Sequence, residues 1–304
     1  MRFSGRLTCV LLGILALSVI VAPLTKVAVD WLLANTPSTA HLPGIRRYPD
    51  GSYDFGRVFR RLLLLSTLLC GYLARRWLGP ISLRGIGTGS SRGRHLGSGL
   101  VLGGLSFSLF LGSLILLGER SLAPEAPANW PLHVGGALAS GLLVGVIEET
   151  IFRGFLLGGL LRDQSPFAAV LLSSSLFSAV HFLRAKAPVT VGLDLSVGVR
   201  GLLAHFRPLV QPPTFFPFIG LLLVGIVLAY AYLWSNSLPF AIGLHAGWVF
   251  AGKTGGLLLR ERTGIMWLYG PHGVLAGALG WAFLLLMLFL LRLWIAHTST
   301  PDPR

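Results

Sequence analysis

The chain has 304 residues, of which 53% are hydrophobic and only 12% charged, and its mean hydropathy is +0.73. Soluble globular domains carry about 25% charged residues, so this composition excludes a soluble enzyme. The net charge of +14 comes from cations that flank apolar runs, where they meet lipid headgroups, and no nucleic-acid partner is expected.

A bilayer-spanning helix needs about 20 predominantly apolar residues, because lipid offers no partners to unpaired backbone groups. In chain order the apolar stretches are Leu7–Leu33, Val58–Leu78, Leu96–Gly118, Leu132–Leu161, Pro166–Leu183, Phe215–Trp234, Leu238–Phe250 and Gly273–Ile295. The expected fold is therefore all-α, a polytopic membrane protein of about eight transmembrane helices forming one domain over residues 1–304. The second and seventh stretches are the weakest. The first is read as a retained anchor: it is long, has no clear small-residue cleavage site and runs on toward Trp31. The connectors Ala34–Gly56, Gly79–His95, Arg184–Thr214 and Lys253–His272 are too short for further domains, and their cations give no decisive inside bias. Cys9 and Cys70 both lie in apolar segments and provide neither a disulfide framework nor a metal-type spacing.

Ionisable groups at membrane depth cost at least about 2.5 kcal/mol and usually mark function. Glu148 and Glu149 stand inside the fourth apolar stretch, followed by Arg153. Adjacent helical residues point about 100° apart, so the two carboxylates need different partners, and Arg153 shares a face with Glu149. Alone, this cluster reads equally as a buried ion-pair network fixing helix register, as part of a transporter pathway, or as a catalytic site. His181 ends the run Phe177-Ser178-Ala179-Val180-His181, and His245 lies in the seventh stretch. With a turn near Asp163 to Ser165, Glu148 and His181 both lie about 22 to 24 Å from it at ~1.5 Å per residue, which suits one shared site.

Glu148-Glu149-Thr150-Ile151-Phe152-Arg153 fits an EExxxR motif, Phe177 to His181 fits FxxxH, and His245 falls at a last His-bearing motif. With these motifs in order, the segment 132–250 resembles the CAAX-protease and bacteriocin-processing (CPBP, formerly ABI) intramembrane proteases. That family has eight-helix members and includes prenyl-protein endopeptidases that remove a C-terminal tripeptide. The resemblance implies an endopeptidase acting on a membrane-associated or lipid-anchored protein in the bilayer, in a multi-pass protein of a prokaryotic plasma membrane. It also implies the roles: Glu148 as general base, His181 positioning the water, His245 donating to the oxyanion, and Glu149 with Arg153 orienting the site. No cofactor is expected; the alternative is a catalytic zinc held by Glu149, His181 and His245, although no HExxH is present. One departure is Val249, where the family often has Asn four residues after the last His. Trp248, ahead of Lys253, is the expected substitute oxyanion donor. The rival readings are an ion- or proton-coupled transporter and a non-catalytic scaffold or immunity factor on the same fold.

Smaller features have simpler readings. Gly141 and Gly145, then Gly154 and Gly158, suit close helix packing. Leu195, Val199, Leu202, Leu203 and Phe206 share one helical face, with Asp194, Arg200 and His205 off it, as in an interfacial amphipathic helix. Lys26 and Asp30 have the spacing of a neutralised pair.

Overall fold

The structure is a computed structural model, and it describes residues 2–36, 45, 48, 52–79, 90–123, 129–183, 186–261, 268 and 275–298. Parts of the expected connectors Ala34–Gly56, Gly79–His95, Arg184–Thr214 and Lys253–His272, and the expected start of the last span at Gly273, lie outside the described residues. The contacts divide the chain into two compact units, Met1–Pro80 with Ala179–Phe215, and Ile81–Ser178 with Phe216–Arg304.

The protein is an all-α membrane protein. Among the described residues, Phe3–Ala34, Ser91–Leu116, Trp130–Leu160, Pro212–Ser235 and Ala278–His297 are helices long and apolar enough to cross a bilayer, and Pro166–His181 is apolar but shorter. The two stretches weakest in sequence are helical without joining that group. One of them carries Arg57, Arg60, Arg61, Arg75 and Arg76, and the other is diluted by five glycines, His245 and Lys253. The count of eight spans therefore stands as an expectation.

In the first unit, α1 (Phe3–Ala34) packs on α2 (Gly56–Leu78) and on α6 (Val197–Phe206). A two-stranded antiparallel ribbon, β1 (Tyr53–Asp54) with β3 (Pro188–Val189), pairs Tyr53 with Val189. Ala22, Val29, Tyr53, Phe55, Phe59, Val189 and Val197 form its buried core. The expected Lys26–Asp30 pair forms at 2.8 Å, and it also clamps the chain after β3: Lys26 Nζ donates to the Gly192 carbonyl at 2.6 Å and the Gly192 N–H to Asp30 Oδ2 at 3.2 Å. Tyr53 completes the cluster, its hydroxyl donating to Asp30 Oδ1 at 2.7 Å.

Burial, and then the adjacent Asp30 carboxylate, hold the Tyr53 phenol well above its ordinary value. A raised folded-state value contributes stability that is fully present below the unfolded value of about 10 and is lost as pH rises through the folded one. Melts between pH 8 and 11 should therefore show wild-type stability falling above pH ~10. Tyr53→Phe should lack that slope and lose about 1 to 3 kcal/mol at neutral pH, because Asp30 loses a buried donor.

In α6 the face that packs on the protein is built of small residues and His205. Gly198 and Gly201 let the helix approach Val19 and the Phe59 ring, and His205 is fully buried beside that ring at 5.2 Å, its Nδ1 donating to the Gly201 carbonyl at 2.8 Å. Leu195, Val199 and Leu203 are left exposed. Small residues and a back-bonded imidazole admit a close approach that the larger leucines cannot, and of the stripe only Leu202 packs on the core.

In the second unit, α3 (Ser90–Leu116), α4 (Trp130–Glu149, continuing to Leu160) and α8 (Leu238–Leu258) form the scaffold, with α5 (Pro166–His181, belonging to this unit as far as Ser178), α7 (Phe215–Ser235) and α9 (Ala278–Thr298). The ribbon of β2 (Arg120–Leu122) with β4 (Leu259–Glu261) links the ends of α3 and α8. The turn between α4 and α5 falls at 161–165, where it was expected. Asn236, at φ 47°, makes the sharp turn from α7 into α8, and Ser237 caps α8 by accepting from the Phe240 N–H at 3.3 Å.

Glycines place α8 between two neighbours at backbone contact. A Cβ at Gly103 would overlap the Leu244 carbonyl, and one at Gly247 the Leu100 carbonyl. On the other side, a Cβ at Gly141 would stand 2.7 Å from the Ala246 carbonyl and one at Gly145 2.9 Å from that of Ile242. These contacts fix α8 in both depth and rotation. Gly247→Val should force α3 and α8 apart, losing at least about 1 to 3 kcal/mol, read as a lower midpoint of unfolding in detergent.

Candidate active site

The EExxxR run begins where α4 changes its winding. From Thr150 to Leu157 the helix is π-wound, closing i→i+5 hydrogen bonds, before it returns to α-helix at Gly158. Such widened turns re-aim side chains and recur at functional sites. Here Phe152, Arg153, Gly154, Leu156 and Leu157 are all buried on that stretch.

Arg153 is fully enclosed, and its guanidinium is used in three directions. Nη1 donates to Glu149 Oε1 at 2.9 Å, Nη2 donates to the Gly225 carbonyl at 2.9 Å, and the Phe177 ring lies below it at 4.8 Å. Gly225 allows this reach: a Cβ there would stand 2.9 Å from Ser174 Cβ, so only a glycine lets α7 come so near α5. Ser173 Oγ, donating to the Phe152 carbonyl at 3.1 Å, satisfies a backbone group on the π-wound stretch.

Glu149 is 0% exposed, and the same Oε1 takes a second hydrogen bond, from His245 Nδ1 at 2.8 Å. A carboxylate between two cationic-type donors only accepts, so Nδ1 carries the proton. That fixes the imidazole's orientation and directs Nε2 the other way, where Glu148 Oε2 stands at 3.9 Å. Phe177 braces the ring from the side, with centroids 6.1 Å apart. The gap between Nε2 and Glu148 is too long for a direct hydrogen bond. Glu148 keeps 26% of its side chain exposed, whereas Glu149 has none. The two adjacent carboxylates thus occupy different environments: one is locked between an arginine and an imidazole, and the other, partly exposed, turns its buried Oε2 toward His245 Nε2.

Within the second unit the structure brings together Glu148, Glu149, Arg153 and His245. His181 is the last residue of α5, one turn beyond Phe177, and falls in the first unit. Val249, one turn beyond His245, is partly buried. Trp248 departs from its expected part. Its indole N–H donates to Ser106 Oγ of α3 at 3.1 Å, because that face of α8 is the one pressed on α3, so its single donor is already engaged. Lys253, the second-ranked donor, is exposed and donates to Ser140 Oγ.

Glu149 Oε1 is taken by Arg153 and by His245 Nδ1, and the remaining ring nitrogen of His245, Nε2, is directed to the side of Glu148. Among the described residues no three His, Cys, Asp or Glu side chains are grouped to hold a metal. The partnership of Glu149 with His245, the π-wound stretch and the part of Ser106 were missed in sequence.

No curated protein and no solved structure matches the chain. Residues 130–251, which carry Glu148, Glu149, Arg153, His181 and His245, match the family model Rce1-like, described as type II CAAX prenyl endopeptidase Rce1-like, so over that segment the chain is similar to the CAAX-type proteases that its three motifs indicate.

Proposed function

We propose that the chain is an intramembrane endopeptidase that hydrolyses a peptide bond in a membrane-associated or lipid-anchored protein, with water activated by Glu148 and without a metal. One observation carries this reading: Arg153 holds Glu149, Glu149 holds His245 Nδ1, and the ring's other nitrogen is thereby aimed at the side where Glu148 stands. A network built only to fix helix register would have no need of a second carboxylate 3.9 Å from the imidazole's other nitrogen.

In the proposed reaction Glu148 takes a proton from water, and the hydroxide oxygen attacks the scissile carbonyl carbon. His245, in its imidazolium form opposite the Glu149 carboxylate, donates from Nε2 to the developing oxyanion. The tetrahedral centre then collapses. Its C–N bond breaks, the proton held by Glu148 passes to the leaving amine, and one water has been consumed to give a carboxylic acid and an amine, between which the acid's proton passes to leave a carboxylate and an ammonium. Glu149 and Arg153 act through His245 and do not touch the substrate.

The oxyanion site would thus rest on His245, since Val249 offers no donor and Trp248 serves α3. Two substitutions probe this. Trp248→Phe should lower stability by about 1 to 3 kcal/mol with little change in kcat, because Ser106 is left without its donor. Val249→Asn should raise kcat by adding a donor one turn beyond His245; removal of one such donor elsewhere costs about 2.7 to 4 kcal/mol. Steady-state kinetics on one substrate separates the two effects.

A prokaryotic plasma membrane is the proposed location. The substrate search compares membrane proteomes of cells expressing wild type or Glu148→Ala. The reading expects a lipid-anchored or membrane protein that accumulates uncleaved only with the variant, and identical proteomes would count against it.

A further inference from the structure

The first unit contains a cavity of about 710 Å³ whose lining combines the cations Lys186, Arg200 and Arg207 with Leu203, Phe206 and Val210. No acidic side chain lines it among the described residues. Asp194 pairs with Arg200 from outside the lining and is held below the usual carboxylate range, first by the Ser196 hydroxyl and then by Arg200. It therefore offsets one of the three charges and leaves a cationic cavity. Its volume falls in the range that holds a small-molecule headgroup.

The apolar part of the lining is open to the surroundings, with Leu203 64% and Val210 83% exposed. Leu203 also continues the outward stripe of Leu195 and Val199 on α6. A site for a soluble anion has no use for such a rim, whereas an anionic lipid needs cations for its phosphate and apolar surface for its chains. The geometry points to a binding site for an anionic glycerophospholipid, its phosphate between Lys186, Arg200 and Arg207 and its acyl chains along Leu203 and Val199. This assignment does not depend on the proposed proteolysis.

The test is native mass spectrometry of the full chain in detergent with equal phosphatidylglycerol and phosphatidylcholine, headgroups that differ in net charge. Wild type should retain phosphatidylglycerol preferentially. At about fivefold per cation, K186Q/R207Q should weaken that retention roughly 25-fold and leave phosphatidylcholine unchanged. A charge-matched control, R75Q/R76Q at the end of α2, should keep the preference, and R207Q alone, expected to lose about fivefold, serves if the double variant does not fold. Melting in phosphatidylcholine alone checks folding. Equal retention of both lipids by wild type, or equal losses in the site and control variants, would overturn the assignment. So would displacement of the lipid by millimolar inorganic phosphate, which would identify a free anion as the ligand.

Discussion

Arg153→Ala is expected to be the most damaging substitution to the site's architecture. It removes both donors to Glu149 Oε1 and the Gly225 carbonyl and leaves a carboxylate with no exposure facing only His245. Loss of one partner from a buried pair costs about 3 to 5 kcal/mol, because the remaining charge is uncompensated. Expression yield and the unfolding midpoint in detergent should fall together with activity. Glu149→Gln should behave in the same direction, since the amide cannot match a carboxylate between two cationic-type donors. A variant as stable as wild type would mean that Glu149 and Arg153 are not the brace the geometry makes them.

Glu148→Ala should do the reverse, abolishing turnover while leaving the fold intact. Its carboxylate is partly exposed and lies beyond hydrogen-bond reach of His245 Nε2, so its removal takes no hydrogen bond from that imidazole. Loss of a general base typically lowers the rate 10² to 10⁴-fold. His245→Ala should lower the rate comparably, but it also takes one of two donors from the buried Glu149 Oε1 and so should reduce stability. The contrast between the two variants distinguishes a base from a group that is both electrophile and brace.

The features read most readily in sequence were those with a physical signature in composition. The apolar runs located the helices, the Lys26–Asp30 pair followed from i,i+4 spacing, and the α4–α5 turn was evident from Asp163 to Ser165. Two paired acids beside an arginine at membrane depth marked the site, because burial of such groups is too costly to be incidental.

What escaped depends on which faces meet in three dimensions. Gly99 and Gly103 against Gly243 and Gly247 bind α3 to α8, yet a glycine pair in one helix does not name its partner. Periodicity gave the stripe on α6 but not the small-residue face by which the helix packs. In a soluble protein the apolar face would be the packed one, whereas here Gly198, Gly201 and His205 turn inward. The same limit misassigned Trp248, since three residues along a helix from His245 turn it about 60° around the axis, where its indole meets Ser106. The π-wound stretch left no sequence signal that propensity or pattern could read.

The central claim, that Glu148 and His245 hydrolyse a peptide bond, is tested most directly by reconstituting purified wild type and Glu148→Gln in lipid vesicles with an internally quenched, lipid-anchored peptide. Cleavage is followed by fluorescence and the product mass. The account predicts one new C-terminus and one new N-terminus with wild type, a rate at least about 10²-fold lower with Glu148→Gln, and the same unfolding midpoint for both. Cleavage by Glu148→Gln at the wild-type rate would contradict the account, as would silence of the wild type against a substrate identified by its accumulation in cells.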